Sequence, residues 1–434
     1  MSTARTAGTD TGLDDEQLES RHWKWAAAAS MADYIDAGST VAAGATLAIW
    51  ATYFGGGKGW VGTAGAIGAG GISTGIGALL GGRFGDVLGR KRIYQYDLLV
   101  YAIGALVVVF TVSLWQLLVG FVLIGLAFGA DVPTSWSLIA EFSPRASRNR
   151  LMGLTFVFWN SGPIVTLLLS LAFTPLGVLG ARLLFLHLFV VAMITWWFRR
   201  SLSESARWRR TRERQGAQPL LSRAQLATLF SNKNLAGMAF LISVYLTYNL
   251  VSGSVSSIFQ PYIFKTVGVS SQAQSVALSG LGFLLGICGT GLIYMRYADR
   301  VRTRYLFGAS AVIVTVSYLP FLFFGLSTTT ALINVVLFGF GAGFGQEAFF
   351  RAWSAELFPT AIRNTAQGLT WGLVKVGTGV FRFFVPALAA SSFRTLALIV
   401  VVLLVMSGVI GVAFAPRTRG RSFDEIDRAD EAHG

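Results

Sequence analysis

Ala140 to Thr155 reads AEFSPRASRNRLMGLT, and Ala355 to Thr370 reads AELFPTAIRNTAQGLT. Nine of the sixteen positions are identical at a constant offset of 215 residues. Each copy closes one long apolar stretch and opens the next, so the match falls at equivalent places in two related halves. In each copy a carboxylate ends a span (Glu141, Glu356), a proline follows (Pro144, Pro359) and an arginine starts the next span (Arg148, Arg363). That spacing suits an ion pair clamping neighbouring helices at one membrane face, with Gly153 and Gly368 allowing close approach.

The rest of the chain supports a membrane setting. Of 434 residues, 53% are hydrophobic and 13% charged, where soluble domains carry about 25% charged residues. Twelve apolar spans lie near 26–54, 60–82, 93–112, 114–140, 151–173, 178–198, 234–262, 273–295, 305–325, 330–355, 365–389 and 393–415. Each is long enough to cross a hydrocarbon core of about 30 Å as a helix. The expected fold is an all-α membrane protein of twelve transmembrane helices in two six-helix pseudo-symmetric halves. The halves are residues 25–198 and 234–415, joined by a basic linker, 199–233, and flanked by tails 1–24 and 416–434.

Charge gives the topology. The N-terminus and every second loop hold 28 Lys and Arg, and the other loops hold 4. This bias predicts a multi-pass protein of the cell (inner) membrane with both termini cytoplasmic. The net charge of +14 is then topological and does not indicate nucleic acid. The first twenty residues are polar and acidic, which predicts a retained first helix rather than a cleaved signal peptide. One cysteine and three scattered histidines argue against disulfides and metal sites. No motif for a cofactor or an enzymatic reaction stands out, and a functional monomer in lipid is expected.

A second motif joins spans two and three. Gly82 to Arg92 reads GRFGDVLGRKR, a tight glycine turn with one acid among bases. Its counterpart YADRVRTR keeps Asp299 and Arg304 but has Met295 and Arg302 where Gly82 and Gly89 stand. Asp86 is placed to cap a helix N-terminus of the opposite half. The G-x-x-x-D-x-x-G-R-K pattern resembles the signature of the major facilitator superfamily. The doubled E-x-x-P-x-x-x-R and LSESARW, Leu202 to Trp208, are similar to the sugar porter family and the metabolite:proton symporters. The usual sixth-span motif of that family is PESPRW; this chain keeps Glu204, Ser205, Arg207 and Trp208 without the prolines. The resemblance implies alternating access, with Gly82, Asp86, Gly89, Arg90, Glu141, Arg148, Glu204, Arg207, Asp299, Glu356 and Arg363 as cytoplasmic latches.

Charges at membrane depth are the candidates for function, because each costs about 2.5–3.5 kcal/mol to insert. Asp33 and Asp36, in MADYIDAGS, share a helix face at i and i+3. Two carboxylates that close and away from water resist double ionisation, as proton handling requires. Asp131 lies near the midplane, in GADVPTSW, opposite Gln346 in the repeat and beside Glu347. Asp97 is placed to reach the cytoplasmic headgroups or the arginines at 90 and 92, and Glu347 and Arg351 are an i, i+4 pair. Lys375, which matches Asn160, has two readings: a bridge to Asp36 or Asp131, or a ligand for an anionic substrate. Arg382 is placed to snorkel outward.

Sugar porters carry a helix-one aspartate implicated in proton coupling, and Asp36 is its match. Their helix-four arginine is missing, since Phe121 stands there, and GADVPTSW looks more like the GGDYPLS of metabolite symporters. The expected function is proton-coupled import of a small polar metabolite, a sugar or polyol first. Asp36, Asp33 and Asp131 are the proton-coupling candidates. Asp131, Trp136, Trp159, Asn160, Asn249, Gln260, Gln346, Glu347, Trp371 and Lys375 are the substrate-binding candidates. The alternatives are an organic-anion or sugar-acid:proton symporter, an exporter, for which the GPxxGG pattern is incomplete, and a receptor on the same fold.

Overall fold

The computed structural model describes residues 17–68, 70–200, 204–215, 222–257, 259–260 and 272–416. It is helical, and no strand occurs among the described residues. The first half comprises α1 (Ser20–Phe54), α2a (Lys58–Ile67) with α2b (Ile72–Leu88), α3 (Arg90–Val109), α4 (Leu114–Phe142), α5 (Arg148–Phe173) and α6 (Val178–Arg199). The second half comprises α7 (Asn232–Leu250), α8 (Gln272–Gly289), α9 (Thr303–Val316), α10a (Thr328–Ala342) with α10b (Gln346–Glu356), α11 (Arg363–Ser391) and α12 (Phe393–Phe414). Eleven spans among the described residues are long and apolar enough to cross a membrane. The remaining crossing is α1, whose 35 residues extend about 52 Å but carry buried Asp33, Asp36, Ser30 and Ser39.

Local chemistry sets several boundaries. Ser113 caps α4 through Gln116 N at 3.2 Å, and Ser392 caps α12 through Thr395 N at 3.2 Å. Gly89 takes φ 102 in the turn from α2b to α3, a conformation that side chains resist. α7 ends in a π-helical turn, Val251–Val255, and α10 is broken between Ala342 and Gln346. The α7 turn lines the inner cavity through Ser252 and Gly253, whereas the carbonyls at the α10 break are met by Thr290 and Ser310 of the same half, so freed backbone groups are satisfied in protein. The linker is not featureless: Ala206–Gln215 and Arg223–Leu229 are helical.

One apolar cluster lies within the first half and includes Ile35, Trp50, Leu98, Phe121 and Phe185, and a larger one runs across both halves, joining Trp136 and Leu151 to Tyr245, Trp353 and Trp371. The halves meet along α2b with α11 and, in pseudo-symmetric fashion, along α5 with α8. At the first seam Gly82 lies against Gly368: a Cβ on Gly82 would come within 2.9 Å of the Gly368 Cα. Any side chain there would push the halves apart.

Candidate transport site

The end of the bundle that carries the basic loops is shut by charges from both halves. Asp86 accepts from Asn364 N at 3.3 Å, Thr365 N at 2.7 Å and Thr365 Oγ1 at 2.7 Å, so it caps the N-terminus of α11. Arg90 lies 3.1 Å from Asp86 and donates to Thr360 O at 3.0 Å. Glu141 accepts from Arg363 at 2.9 Å, and Arg148 faces Glu356 at 3.6 Å. These pairs reach across the halves, further than the clamp between neighbouring helices that the repeat suggests. In the matching position, Asp299 accepts from Asn149 Nδ2 at 2.8 Å and Arg150 N at 3.2 Å, capping α5. Burial pushes the Asp299 carboxyl above its usual range against these hydrogen bonds.

Glu204 accepts from Lys91 N at 3.0 Å, at the start of α3 beside Gly89. Trp208 Nε1 donates to Asp86 O at 2.8 Å, so the linker helix is tied to the same turn. The Arg207 side chain lies outside the described residues. Asn364, Thr365 and Thr360 were not singled out by the sequence reading. A signal was present, since Asn149 and Asn364 are the same residue in the two repeats.

Toward the other end the described residues leave a cavity of about 370 Å³, walled by Val41, Ile49, Leu167, Ser170, Val276 and Phe283. It continues inward through two smaller spaces that share Ser257 and Phe283 with it. One, of about 50 Å³, is lined by Trp159, Asn160, Tyr248, Ser256, Gln260 and Glu347. The other, of about 20 Å³, is lined by Asp36, Thr40, Asn249, Glu347, Lys375 and Arg382. The expected Asp36, Trp159, Asn160, Asn249, Gln260, Glu347 and Lys375 therefore converge on one tapering path.

At its floor, Arg351 links the halves. Its Nη1 is 2.5 Å from Asp33 and its Nη2 is 3.0 Å from Glu347. Its guanidinium also lies 4.8 Å from the Trp136 ring, and Trp136 Nε1 donates to Asp33 at 3.4 Å. Asp36 and Lys375 face the small space with no ion-pair partner within 4 Å among the described residues. Each is nonetheless the strongest opposite charge acting on the other. Lys375 lies 5.1 Å over the Trp371 ring, which meets Trp136 edge-on at 5.8 Å. Arg382 does not snorkel; it is buried and donates to Gly253 O at 2.6 Å, in the π-helical turn of α7.

Asp131 and Gln346 are placed elsewhere. Gln346 is buried beside Ser310, which donates to it at 3.4 Å, and lines none of these cavities. Asp131 does not meet Lys375; Arg199 holds it at 2.8 Å, and Ser135 donates to it at 2.6 Å. Asp97 lies 4.0 Å from the same arginine rather than beside the arginines at 90 and 92. By sequence Arg199 falls in the basic linker 199–233, where a base satisfies the positive-inside pattern.

Comparison with known proteins accords with this geometry. The sequence model of the Major Facilitator Superfamily matches residues 27–374. The chain belongs to the Major Facilitator Superfamily. It is 38% identical to the minor myo-inositol transporter IolF of Bacillus subtilis, over 94% of this chain and 93% of that one. It is 27% identical to a probable 4-methylmuconolactone transporter of Cupriavidus pinatubonensis, over 83% of this chain and 82% of that one. Among solved structures, the proton:xylose symporter XylE bound to 6-bromo-6-deoxy-D-glucose superposes with a TM-score of 0.79 at 16% identity, covering 95% of this chain and all of that one. The chain is thus a multi-pass membrane transporter and not an enzyme.

Proposed function

We propose that this transporter is a proton-coupled symporter importing a neutral polyol or sugar, with myo-inositol as the first substrate to test. The observation that carries the reading is the charge balance of the path. On its lining Asp36 and Glu347 are matched by Lys375 and Arg382, two against two, the Asp33–Arg351 pair beside them is itself balanced, and the remaining wall mixes amides, hydroxyls and the Trp159 indole with apolar side chains such as Phe283 and Phe338. A neutral hydroxylated ring enters such a site without adding uncompensated charge. Trp159 offers it a face, and Asn160, Asn249 and Gln260 offer hydrogen bonds. The myo-inositol transporter among its relatives supports the substrate class.

Asp36 takes the proton in this scheme. Loading it removes the charge that faces Lys375, so proton and substrate alter the same contact. The charge bias of the loops assigns the shut, basic end and both termini to the cytoplasm. The conformation described is then the one that admits substrate from outside.

Uptake of labelled myo-inositol into vesicles, with and without an imposed proton gradient, tests the proposal. Gradient-driven accumulation is expected in the parent. Asp36→Asn is expected to lose accumulation and keep substrate exchange. Equal accumulation by Asp36→Asn, still gradient-dependent, would remove Asp36 from the mechanism. One observation favours an anionic substrate: Arg382 Nη1 is buried without a hydrogen-bond partner. Competition by sugar acids stronger than by neutral polyols would establish that second reading.

A further inference from the structure

A second charged centre lies inside the first half, on the side of the Asp33–Arg351 pair nearer the basic end. Asp97 on α3, Asp131 on α4 and Arg199 at the end of α6 are each at most 5% exposed. Tyr94 lies flat under the guanidinium, whose centre is 3.6 Å from the ring. Arg199 Nη2 donates to Ala29 O of α1 at 3.2 Å, one turn before Asp33. These are the charged and titratable groups facing the centre from α3, α4 and α6; α1 contributes only this carbonyl at contact, with Asp33 acting from beyond.

Two carboxyls here share one guanidinium. Arg199 Nη1 is 2.8 Å from Asp131 and 4.0 Å from Asp97. Asp131 is fully served, by Arg199 and by Ser135. Asp97 has one oxygen bonded to Leu98 N at 2.5 Å, and its other oxygen, Oδ2, is buried with no partner. Asp131 is the charge that acts most strongly on it. Two ionised carboxylates are acceptors only, so they cannot satisfy one another. With one base for two acids, the dry centre is neutral only when a proton is present.

We propose that Asp97 and Asp131 form a proton-binding site distinct from the substrate path, with the proton on Asp97 Oδ2. Loading is a single transfer: a hydronium ion gives its proton to Asp97 Oδ2, and water remains. The protonated carboxyl gains the donor that the pair lacks. Release leaves Arg199 to serve two carboxylates, which loosens its hold on Ala29 and so on the helix carrying Asp33 and Asp36. The site deepens the proton-coupled reading above, yet its occupancy is measurable without any transport.

Infrared difference spectra of the purified full-length chain, recorded across a pH titration, read protonated carboxyls through their C=O stretch. The background is Asp36→Asn, which removes the carboxyl of the substrate path. A titrating protonated-carboxyl band is expected to persist there. Adding Asp97→Asn should abolish it. Adding Asp131→Asn in place of Asp97→Asn should abolish it too, because one acid beside Arg199 ionises. Asp97→Glu should restore a band at a shifted frequency. A band unchanged by Asp97→Asn, or lost with Asp97→Asn but kept with Asp131→Asn, overturns the shared site. If either variant fails to fold, isotope-labelled aspartate spectra of the parent make the same count, and full ionisation of every aspartate overturns the proposal. Failure of gradient-driven uptake with this band intact would instead count against the symport reading alone.

Discussion

Arg351 and Arg199 are both buried, and each faces two carboxylates, yet they join different things. Arg351 sits on α10b in the second half and grips Asp33 on α1 in the first. Arg199 keeps all its partners, Asp131, Asp97 and the Ala29 carbonyl, within the first half. Alternating access moves one half against the other as near-rigid bodies. A bond across the halves is therefore exposed to that motion in every cycle, and a bond within a half is not. The first arginine is part of the moving joint, and the second is part of the body that moves.

The largest effect should come from removing the arginine that stays. Arg199→Gln leaves two acids in a dry site, and breaking a buried pair on one side costs about 3–5 kcal/mol. Arg351→Gln also strands two acids, but Glu347 borders a cavity that water can enter. Thermal unfolding should therefore fall further for Arg199→Gln than for Arg351→Gln. Equal losses would erase the distinction between joint and body.

Next in size is a shift of conformation. Asp33→Asn cuts the bond across the halves and leaves Arg351 with Glu347. The basic end should then open more often. A cysteine placed at Ser137, which is fully buried and bonded to Asn364 across the seam at 3.0 Å, reports that opening through thiol labelling in a Cys288→Ser background. Labelling should rise by about tenfold for Asp33→Asn if the bridge holds on the order of 1.4 kcal/mol. It should stay at the parent rate for Asp97→Asn, whose contacts lie within one half.

The joint and the body were not equally legible in the sequence. The helical framework and latch residues were open to reading, because span length, loop charge and a repeat are local patterns. The acids of α1 were also legible, since a carboxylate in an apolar span is conspicuous. Their partners were not. Arg351 already had an explanation four residues away in Glu347, so nothing in the sequence pointed across 318 residues to Asp33. Arg199 was hidden by position: a base at the end of a span satisfies the positive-inside pattern whether it faces water or turns inward. Lys375 sits in mid-span without a local partner, which leaves a bridge to Asp36 or Asp131 and an anionic substrate equally open in the sequence. The structure pairs Asp33 with Arg351, and Lys375, over Trp371, remains the strongest opposite charge acting on Asp36.

The two helix caps extend the same contrast to a smaller scale. Asp86 and Asp299 occupy matching places, and each caps the first helix after a repeat in the other half. Asp86 takes three hydrogen bonds and is backed by Arg90. Where Arg90 stands, the second copy has Thr303, so the Arg90–Asp86 pair has no equivalent at that position. Asn would keep the capping oxygen but lose the charge that faces the helix N-terminus and Arg90, worth about 1 kcal/mol, so replacing Asp86 by Asn should raise labelling at residue 137 about fivefold. Asp299→Asn should raise it less, because the latch it weakens lacks the added ion pair. Glu204→Gln should do least: its carboxylate meets the start of α3, inside the first half, where a carboxylate at a helix N-terminus gives about 0.3–1 kcal/mol. Its cost should appear in unfolding temperature and not in labelling. If Glu204→Gln instead opened the basic end as readily as Asp86→Asn, the linker would belong to the joint, and the line between the two regions would have to be redrawn through Trp208, whose indole bonds the Asp86 carbonyl.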